Sequence, residues 1–459
     1  MRYISTRGGV EPILFSQAVM MGLATDGGLL LPETIPSVAA ATLKQWAGLE
    51  FIPLALEVVS LFVGEGDIPR QDLDRLLRKA FSTFSHPEIT PVVRVGGHHV
   101  LELFHGPTLA FKDVALQLLG NLFEYLLQRD GGRINILGAT SGDTGSAAIH
   151  GVRGKGGMEI FILHPHGRVS PIQERQMTTV LDANVHNIAI QGTFDDGQAI
   201  VKALFNDLDF KGKYHLGAVN SINWARIVAQ VVYYFYAWGR ISEGDPERQV
   251  EFSVPTGNFG DVFAGYVAKR MGLPTGKLLL ATNRNDILSR FFSSGSYRLG
   301  QVHPTMSPSM DIQVSSNFER YLYYLLQENP EGVREKMAEL DGGGGFAVSR
   351  EIIDAAGDFQ AVSIGEEQTL AAIRSVYQDC GYVLDPHSAV GFAAAMARPG
   401  MVCLATAHPA KFGDAVNKAI GRQPNRPAVF EGLEQKPRRC QVLPANVSAV
   451  RDFITSRLD

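Results

Sequence analysis

The feature that most constrains the fold is an alternation of short aliphatic runs with longer amphipathic segments, which begins near residue 99. The runs end at polar, glycine-containing turns, and apolar residues in the longer segments recur every three or four positions, most clearly over residues 114–127. The strand candidates are residues 134–137, 159–163, 185–190, 215–219, 250–254 and 278–281. This rhythm is typical of βαβ units and predicts an α/β fold built on a parallel sheet.

Two other segments differ from this pattern. Residues 1–95 have apolar positions at helical spacing, for example over Phe15–Met21, and predict a small, mainly helical N-terminal domain. Residues 284–360 are the least regular stretch and contain the glycine run 342–345, so we expect an insertion with a flexible loop there.

The composition excludes several classes of protein. With 42 Lys and Arg against 47 Asp and Glu, the net charge is −5, and the chain lacks the basic field that a nucleic acid partner requires. The cysteines, Cys380, Cys403 and Cys440, are too few and too far apart for a disulfide framework, which favours a reducing, cytoplasmic location. The longest apolar segment, residues 227–238, is shorter than the roughly 20 residues of a membrane span, so we expect no membrane association.

The sequence also lacks the common site motifs. It contains no GxxxxGK[ST] phosphate loop, no GxGxxG fingerprint, no HExxH motif and no GxSxG nucleophile elbow. Its 12 histidines are not grouped with carboxylates or thiols at metal-site spacing, so we expect no metal. What remains is a set of polar turns between strand and helix candidates.

Two of these turns are suited to bind anions. Residues 141–145, Ser-Gly-Asp-Thr-Gly, and residues 255–261, Pro-Thr-Gly-Asn-Phe-Gly-Asp, each follow a strand candidate and open a helix candidate. Backbone N–H groups at a positive helix end bind carboxylate or phosphate, although an ordinary capped turn has the same pattern. We expect both turns at the carboxyl ends of strands in one sheet, where they would flank a ligand crevice.

Cationic residues lie at two other helix starts. The helix dipole disfavours a cation at Lys112 and lowers the pKa of its amine, which suits a nucleophile or a Schiff base; the alternative is a surface lysine paired with Asp113. The turn 220–226 offers Ser221 and Arg226 to a phosphate, whereas helix capping and a snorkelling arginine would explain the same residues without a ligand.

Six segments in register resemble the threonine synthase family, in its longer bacterial and fungal branch, within the fold type II pyridoxal-phosphate enzymes. They are residues 3–8, 105–113, 139–145, 220–226, 257–261 and 406–412. The resemblance spans essentially the whole chain. It implies an α/β fold of the tryptophan synthase β kind, with parallel sheets in a large and a small domain. It also implies an N-terminal domain at 1–95 and a catalytic region at 96–459.

The resemblance assigns the cofactor, pyridoxal 5'-phosphate, to one set of residues. Lys112 would bind it covalently, Thr406 would hydrogen-bond the ring nitrogen, and Asp143 would lie near the phenolic oxygen. The cofactor phosphate would be held by the second turn, through Thr256, Gly257, Asn258, Phe259 and Gly260. A neutral hydroxyl at the ring nitrogen favours elimination and replacement over transamination.

The resemblance also implies O-phospho-L-homoserine as substrate, and a lyase that eliminates phosphate from Cγ and adds water at Cβ to give L-threonine, the last step of threonine biosynthesis. The residues implied for substrate binding are Ser141, Gly142 and Thr144 at the carboxylate, Asn220, Ser221, Arg226, Thr144 and Lys411 at the phosphate, and Asp261 beside the second turn. By the same resemblance we expect a monomer.

Asp143 and Asp261 depart from the wider fold type, which often has asparagine at these two positions. An aspartate next to the phenolic oxygen or a phosphate must be protonated, turned away or paired with a cation. Both aspartates nevertheless resemble the pattern of this branch of threonine synthases.

Two alternatives remain. A threonine or serine dehydratase or a cysteine synthase of the same fold would share Lys112 and both anion-binding turns, but it would not need a second phosphate site at 220–226. A non-catalytic sensor or store of pyridoxal phosphate or of an anionic metabolite would not need to keep all of these residues. A scaffold protein is disfavoured because long charged or heptad faces are missing.

Overall fold

The computed structural model describes residues 1–64 and 66–459, and its N-terminal part is mainly helical, as the sequence predicts. The N-terminal elements are β1 (Tyr3–Ser5), α1 (Phe15–Met21), β2 (Leu30–Pro32), α2 (Ala40–Trp46), α3 (Phe51–Ser60) and α4 (Arg70–Phe81). β1 and β2 pair antiparallel. The α4 helix buries Leu73, Leu77 and Ala80 on one face and exposes its charged residues, as the 3.6-residue period requires.

The rest of the chain alternates strands and helices. The elements before residue 243 are β3 (Val92–Val95), β4 (His98–Glu102), α5 (Lys112–Asp130), β5 (Ile134–Ala139), α6 (Asp143–Val152), β6 (Met158–Pro165), α7 (Pro171–Thr178), β7 (Val185–Gln191), α8 (Phe194–Asn206), α9 (Leu208–Lys213), β8 (Leu216–Gly217) and α10 (Trp224–Ser242).

The later elements complete the two sheets and the insertion. They are β9 (Phe252–Pro255), α11 (Gly260–Arg270), β10 (Leu278–Thr282), α12 (Ile287–Ser294), β11 (Ser296–Arg298), α13 (Phe318–Leu325), α14 (Pro330–Gly343), β12 (Gly345–Ala347), α15 (Arg350–Ala356), β13 (Phe359–Ser363), α16 (Glu366–Cys380), α17 (Pro386–Ala395), β14 (Val402–Ala405), α18 (Gly413–Ile420), β15 (Gln441–Pro444) and α19 (Val447–Leu458).

Two parallel sheets form the centre of the molecule, which confirms the predicted α/β fold. The larger sheet has the strand order β13-β10-β9-β14-β4-β3, with only β3 running antiparallel to its neighbour. The smaller sheet has the order β15-β7-β6-β5-β8 and is parallel throughout. The domain boundary proposed near residue 95 falls at the end of β3, which pairs with β4 in the larger sheet.

The N-terminal part shares a hydrophobic core with these sheets and their helices. The ring of Tyr3 lies 5.8 Å from that of Phe15 and 6.1 Å from that of Trp224, at the start of α10. The Tyr3 hydroxyl also donates to the carbonyl of Phe62 at 2.8 Å. The N-terminal elements are therefore packed directly on α10.

The expectation that the two anion-binding turns lie on one sheet is wrong. The turn at 141–145 follows β5 of the smaller sheet, whereas the turn at 255–261 follows β9 of the larger one. The sequence pattern of a buried parallel strand does not reveal its partners, because those are chosen by long-range pairing. The two turns nevertheless line the same cavity, through Thr144 and Gly257.

Residues 284–360, which the sequence led us to expect as irregular, instead contain the helices α12 to α15 and a small antiparallel sheet of β11 and β12. An aromatic cluster organises this insertion. The Phe318 ring lies 4.7 Å from that of Phe291 and 4.9 Å from that of Tyr297, which in turn lies 5.0 Å from that of Phe346. Edge and stacked aromatic pairs of this kind stabilise the packing of the insertion, by about 0.5–1.5 kcal/mol for each pair.

A search of the described helices for a membrane-spanning segment finds none with sufficient length and apolar character.

The packing of α5 on α6 predicts a strong effect of one methyl group. A Cβ added at Gly120 would lie 2.0 Å from the carbonyl oxygen of Gly151, which as backbone cannot move aside. We expect Gly120→Ala to destabilise the protein by about 3 kcal/mol or more, measured as the midpoint of thermal unfolding.

The matched control is Gly212→Ala in α9, where no described atom outside the neighbouring backbone of this helix lies within 4 Å of the added Cβ. This variant should be neutral or more stable by up to about 1 kcal/mol, because alanine favours the helix. Equal unfolding midpoints for the two variants would contradict the close helix contact.

Candidate active site

Lys112 is the first residue of α5, and its side chain is only 11% exposed. It lines a cavity between the two sheets. Burial lowers the pKa of the amine; Asp143 opposes this effect, while Lys411 and Arg226 add to it. Asp113, the partner in the surface-lysine alternative, instead accepts hydrogen bonds from the preceding loop at 2.8 and 2.7 Å. The buried amine excludes that alternative.

Asp143, the first residue of α6, lies next to two lysine ammonium groups and a glutamine amide. Its Oδ1 accepts hydrogen bonds from Lys411 Nζ and Gln173 Nε2, both at 2.7 Å. Its Oδ2 lies 4.0 Å from Lys112 Nζ. Burial alone would raise the pKa of this carboxyl, but the two ammonium groups hold it well below the usual range. Of the three states open to this aspartate, the geometry supports pairing with a cation.

Lys411 lies behind Asp143 and outside the cavity wall. Its side chain is fully buried, and its ammonium donates to the carboxylate of Asp143 and to the carbonyl of Thr108 at 2.7 Å. The structure therefore does not bring Lys411 to the surface where a substrate phosphate was expected. Its charge neutralises Asp143 instead.

The turn that precedes α11 lines the cavity with backbone. Phe259 has a left-handed φ of 62°, and its ring packs 5.4 Å from the ring of Phe318 in the aromatic cluster. Phe259 therefore turns its side chain into that cluster. A Cβ at Gly257 would lie 3.0 Å from the carbonyl oxygen of Ser309, so this position has no room for a larger residue. The turn presents peptide groups at a helix start, an arrangement that binds phosphate.

Arg226 provides a buried cation without a protein partner. It is 5% exposed and lines the cavity, and its Nε and Nη1 have no hydrogen-bond partner among the described residues. Burial lowers the pKa of the guanidinium to about 10. Because a buried charge is unfavourable unless it is paired, this side chain indicates an anionic ligand. Ser221 lines the same cavity, whereas Asn220 uses its Oδ1 to accept from the N–H of Ile222 at 3.3 Å.

Asp261, the second residue of α11, is bound by two tyrosines of α10. Its Oδ1 accepts hydrogen bonds from the hydroxyls of Tyr233 at 2.5 Å and Tyr234 at 3.0 Å. Its Oδ2 is buried without a partner in the described part of the chain. Burial raises the pKa of Asp261 to about 6, although the tyrosines and Lys112 oppose this shift.

Thr406 follows β14 and lines the cavity. Its N–H donates to Ser388 Oγ at 2.9 Å, and Ser388 is in turn bonded to Asp385. His387 binds Asp385 through Nδ1 at 2.7 Å and accepts from the N–H of Ser309 at 3.2 Å. This buried network fixes the end of β14 against the wall of the cavity.

Most of the residues predicted for the site meet in this one cavity. Those that line it are Lys112, Thr144, Ser221, Arg226, Thr256, Gly257, Asn258, Phe259, Gly260, Asp261 and Thr406. Asp143 is close to Lys112 without lining the cavity, and Ser141, Gly142, Asn220 and Lys411 lie outside its wall. Gly142 has a φ of 148°, and an added Cβ would meet the Gln173 amide at 2.6 Å, so its role is to let that amide reach Asp143.

The sequence reasoning assigned no role to six residues that line the cavity: Phe111 and Pro255, which adjoin assigned residues, and Gln230, Ser309, Met310 and His387. Gln230 has a sequence signal: together with Arg226 and Tyr233 it forms a polar stripe at helical spacing in the otherwise apolar α10. The loop residues and His387 have no such signal, because only the tertiary fold brings them to the site.

Comparisons with known proteins identify relatives along the whole chain. The family models that match are "Threonine synthase N terminus" at residues 2–81, "Pyridoxal-phosphate dependent enzyme" at 88–402 and "Threonine synthase, C-terminal" at 388–454. The threonine synthase of Pseudomonas aeruginosa is 49% identical over 99% of this chain and 98% of its own length. That of Saccharomyces cerevisiae is also 49% identical, over 91% and 89%.

A solved structure is equally similar. The crystal structure of a pyridoxal-phosphate-bound threonine synthase from Brucella melitensis superposes with a TM-score of 0.96, at 49% identity, and covers 100% of this chain and 99% of that one.

The raised pKa of Asp261 predicts a pH-dependent stability. The native carboxyl holds its proton up to about pH 6, whereas the unfolded one loses it near 3.8, so stability falls as the pH rises through that window. We expect Asp261→Asn to match the wild-type apoprotein near pH 4 and to be more stable by about 3 kcal/mol above pH 6, measured by thermal unfolding across this range.

Asp143→Asn is the control, for which we expect a change in stability of the opposite sign. The pKa of Asp143 is held low, so this carboxylate stabilises the fold at neutral pH and its loss should destabilise it there. If both variants changed stability in the same direction at pH 7, the assigned charge states would be wrong.

Proposed function

This chain belongs to the threonine synthase family, and from that premise we propose that it converts O-phospho-L-homoserine and water into L-threonine and inorganic phosphate. It is a pyridoxal-phosphate-dependent lyase of threonine biosynthesis. We assign the residues from one observation: the same cavity is lined by a buried amine, Lys112, and by a buried guanidinium without a partner among the described residues, Arg226.

The residues of the cavity fit the cofactor. Lys112 supplies an amine for its aldehyde, the peptide groups of 257–260 supply an anion site at the start of α11 for its phosphate, and Thr406 supplies a hydroxyl for its ring nitrogen. Asp143 stands beside Lys112 with its charge balanced by Lys411. When bound, pyridoxal phosphate withdraws electrons from the substrate α-carbon and so supports loss of protons and of phosphate.

Lys112 Nζ is the group that we assign to proton transfer. Its lowered pKa favours the neutral amine, which can accept the proton from Cα and, once it has released that proton, can accept one from Cβ. After phosphate has left Cγ, the same nitrogen returns a proton to Cγ, water then adds at Cβ, and a proton is restored to Cα last. Burial of the amine keeps bulk water from exchanging with it during these steps.

Arg226 and Ser221 are assigned to the substrate phosphate. The free N–H groups of Arg226 can form charge-assisted hydrogen bonds to a phosphate, and the hydroxyl of Ser221 lines the same part of the wall. Thr144, at the start of α6, is assigned to the substrate carboxylate, which the helix dipole favours. A dehydratase would share the carboxylate site but would have no substrate phosphate for Arg226 and Ser221 to bind.

The three cysteines are unpaired, which supports a reducing compartment, and we propose that the protein is cytoplasmic. We also propose that it is a monomer. Size-exclusion chromatography with light scattering tests the latter. A mass of twice 49.9 kDa would contradict the monomer.

The primary assay supplies O-phospho-L-homoserine to the cofactor-loaded protein and measures phosphate and L-threonine. Equal amounts of both products are expected. L-Threonine and L-serine serve as control substrates, and formation of oxoacid from them without phosphate release would assign the protein to the dehydratases instead.

Lys112→Ala should abolish turnover and the visible absorbance of the lysine-bound cofactor, because no other amine lies in the lining of the cavity. The fold should survive, since the change removes a side chain that lines the cavity and is not packed in the hydrophobic core. Turnover is measured by phosphate release and the fold by circular dichroism. Retained turnover would overturn the assignment of Lys112.

Arg226→Gln should raise the KM for the substrate tenfold or more, because a charge-assisted contact contributes roughly 1.5–3 kcal/mol. The unfolding midpoint of the apoprotein should stay the same or rise, since the variant removes a buried charge that lacks a protein partner. The cofactor should still bind.

Arg240→Gln is the matched control on the same helix. Arg240 donates to the carbonyls of Ala47 and Leu49 at 3.4 and 3.1 Å, so its loss should lower stability and leave KM unchanged. An unchanged KM in Arg226→Gln would remove Arg226 from the phosphate site.

A further inference from the structure

A short segment lies against both turns of the site. This bridging segment, residues 315–320 with the sequence Ser-Ser-Asn-Phe-Glu-Arg, ends the loop before α13 and continues into that helix. It contacts the turn before α11, which follows a strand of the larger sheet, and the turn before α10, which follows a strand of the smaller sheet.

Asn317 joins these two turns through one amide. Its Nδ2 donates to the carbonyl of Ser221 and to the carbonyl of Asn258, both at 3.1 Å, and its backbone N–H donates to the same Asn258 carbonyl at 3.1 Å. Its Oδ1 accepts from Arg320 at 2.5 Å. Asn317 is fully buried, so each of these bonds is formed out of contact with water.

The bridging segment fixes two successive peptide groups of the anion-binding turn. Ser315 Oγ donates to the carbonyl of Gly257 at 2.7 Å, and Asn317 binds the carbonyl of Asn258. Because the N–H in a trans peptide points opposite to the carbonyl, the N–H groups of Asn258 and Phe259 must point away from the bridging segment. Both residues line the cavity.

The segment also contacts the substrate side of the cavity. Ser316 Oγ lies 2.8 Å from Ser221 Oγ and 3.3 Å from Asn258 Oδ1. Hydroxyl and amide groups from both turns therefore meet the bridging segment at one place.

The N-terminal part holds the bridging segment from the other side. Glu319 accepts hydrogen bonds from Thr6 Oγ1 at 2.6 Å and from Arg7 Nη2 at 2.8 Å. The fully buried Arg320 donates to the carbonyls of Leu30 and Ile222. Residues 3–8, one of the six segments that carried the family resemblance, are thus connected to the site through this segment.

We propose that Asn317 is a positioning residue that fixes the anion-binding turn before α11 relative to the turn before α10, so that the affinities for the cofactor phosphate and for the substrate phosphate both depend on it. This inference rests on the proposed function for the identity of the two anions. It predicts that one side chain, without touching either anion, changes both binding constants together.

The test uses two variants with different defects. Asn317→Asp keeps an oxygen acceptor for Arg320 but loses the Nδ2 donor, and Asn317→Leu loses the donor without adding a charge. For each, the Kd of pyridoxal phosphate is titrated on the apoprotein by fluorescence, and the Kd of inorganic phosphate is titrated on the cofactor-loaded protein. We expect both constants to rise at least tenfold in both variants, and KM to rise by a larger factor than kcat falls.

The matched control is Asn184, whose Nδ2 donates to the carbonyls of Val152, Lys155 and Met158 at 3.1, 3.4 and 3.1 Å, beyond the end of α6 that is opposite to Asp143 and Thr144. Asn184→Asp and Asn184→Leu lose the same kind of bridging amide. They should lower the unfolding midpoint while leaving both Kd values within twofold of wild type.

The following changes in the binding constants would overturn the inference. A rise in Kd only in Asn317→Asp would indicate charge repulsion by the new carboxylate. A change in one constant alone, or in neither, would show that the turns are not positioned together by Asn317. If the wild-type protein binds both anions as expected but forms no threonine, the proposed function fails and the positioning role of Asn317 stands.

Discussion

The rest of the site depends on one constraint: the buried guanidinium of Arg226 has no carboxylate partner among the described residues. Arg226 has two nitrogen atoms without partners among the described residues, although Asp261 stands on the neighbouring helix. The hydroxyls of Tyr233 and Tyr234 bind that carboxylate, and no ion pair joins it to Arg226 among the described residues. The cation therefore remains available to a ligand, and it also helps to keep the nearby Lys112 amine uncharged.

Both sheets supply residues around this cation. Lys112, Thr406 and the turn before α11 follow strands of the larger sheet, whereas Asp143 and the turn before α10 follow strands of the smaller one. The carboxyl ends of parallel strands carry all of these groups, which is where open α/β sheets bind ligands. Side chains from the insertion and the N-terminal part then fix the turns in place.

Local sequence patterns predicted the features that depend on residues close in the chain, such as helix starts and turns. They did not predict the features that depend on contacts between distant residues, such as strand pairing and side-chain burial. The helix start at Lys112 and the polar turns before α6 and α11 follow from apolar spacing and turn chemistry. The division of the strands between two sheets does not, nor does the burial of Lys411 behind Asp143. Phe259 shows the same limit: the sequence places it in an anion-binding turn, but the aromatic cluster of the insertion decides where its ring lies.

The position of β14 has a consequence for synthesis on the ribosome. β14 lies between β9 and β4 and is paired with both, although it is nearly the last strand of the chain. Until residue 405 has emerged, the larger sheet remains two separate pieces, each with an unpaired edge that could join another chain. We therefore expect the nascent chain to expose an unpaired strand edge from the completion of β4 until β14 emerges, and a chaperone that covers strand edges would act over that whole interval.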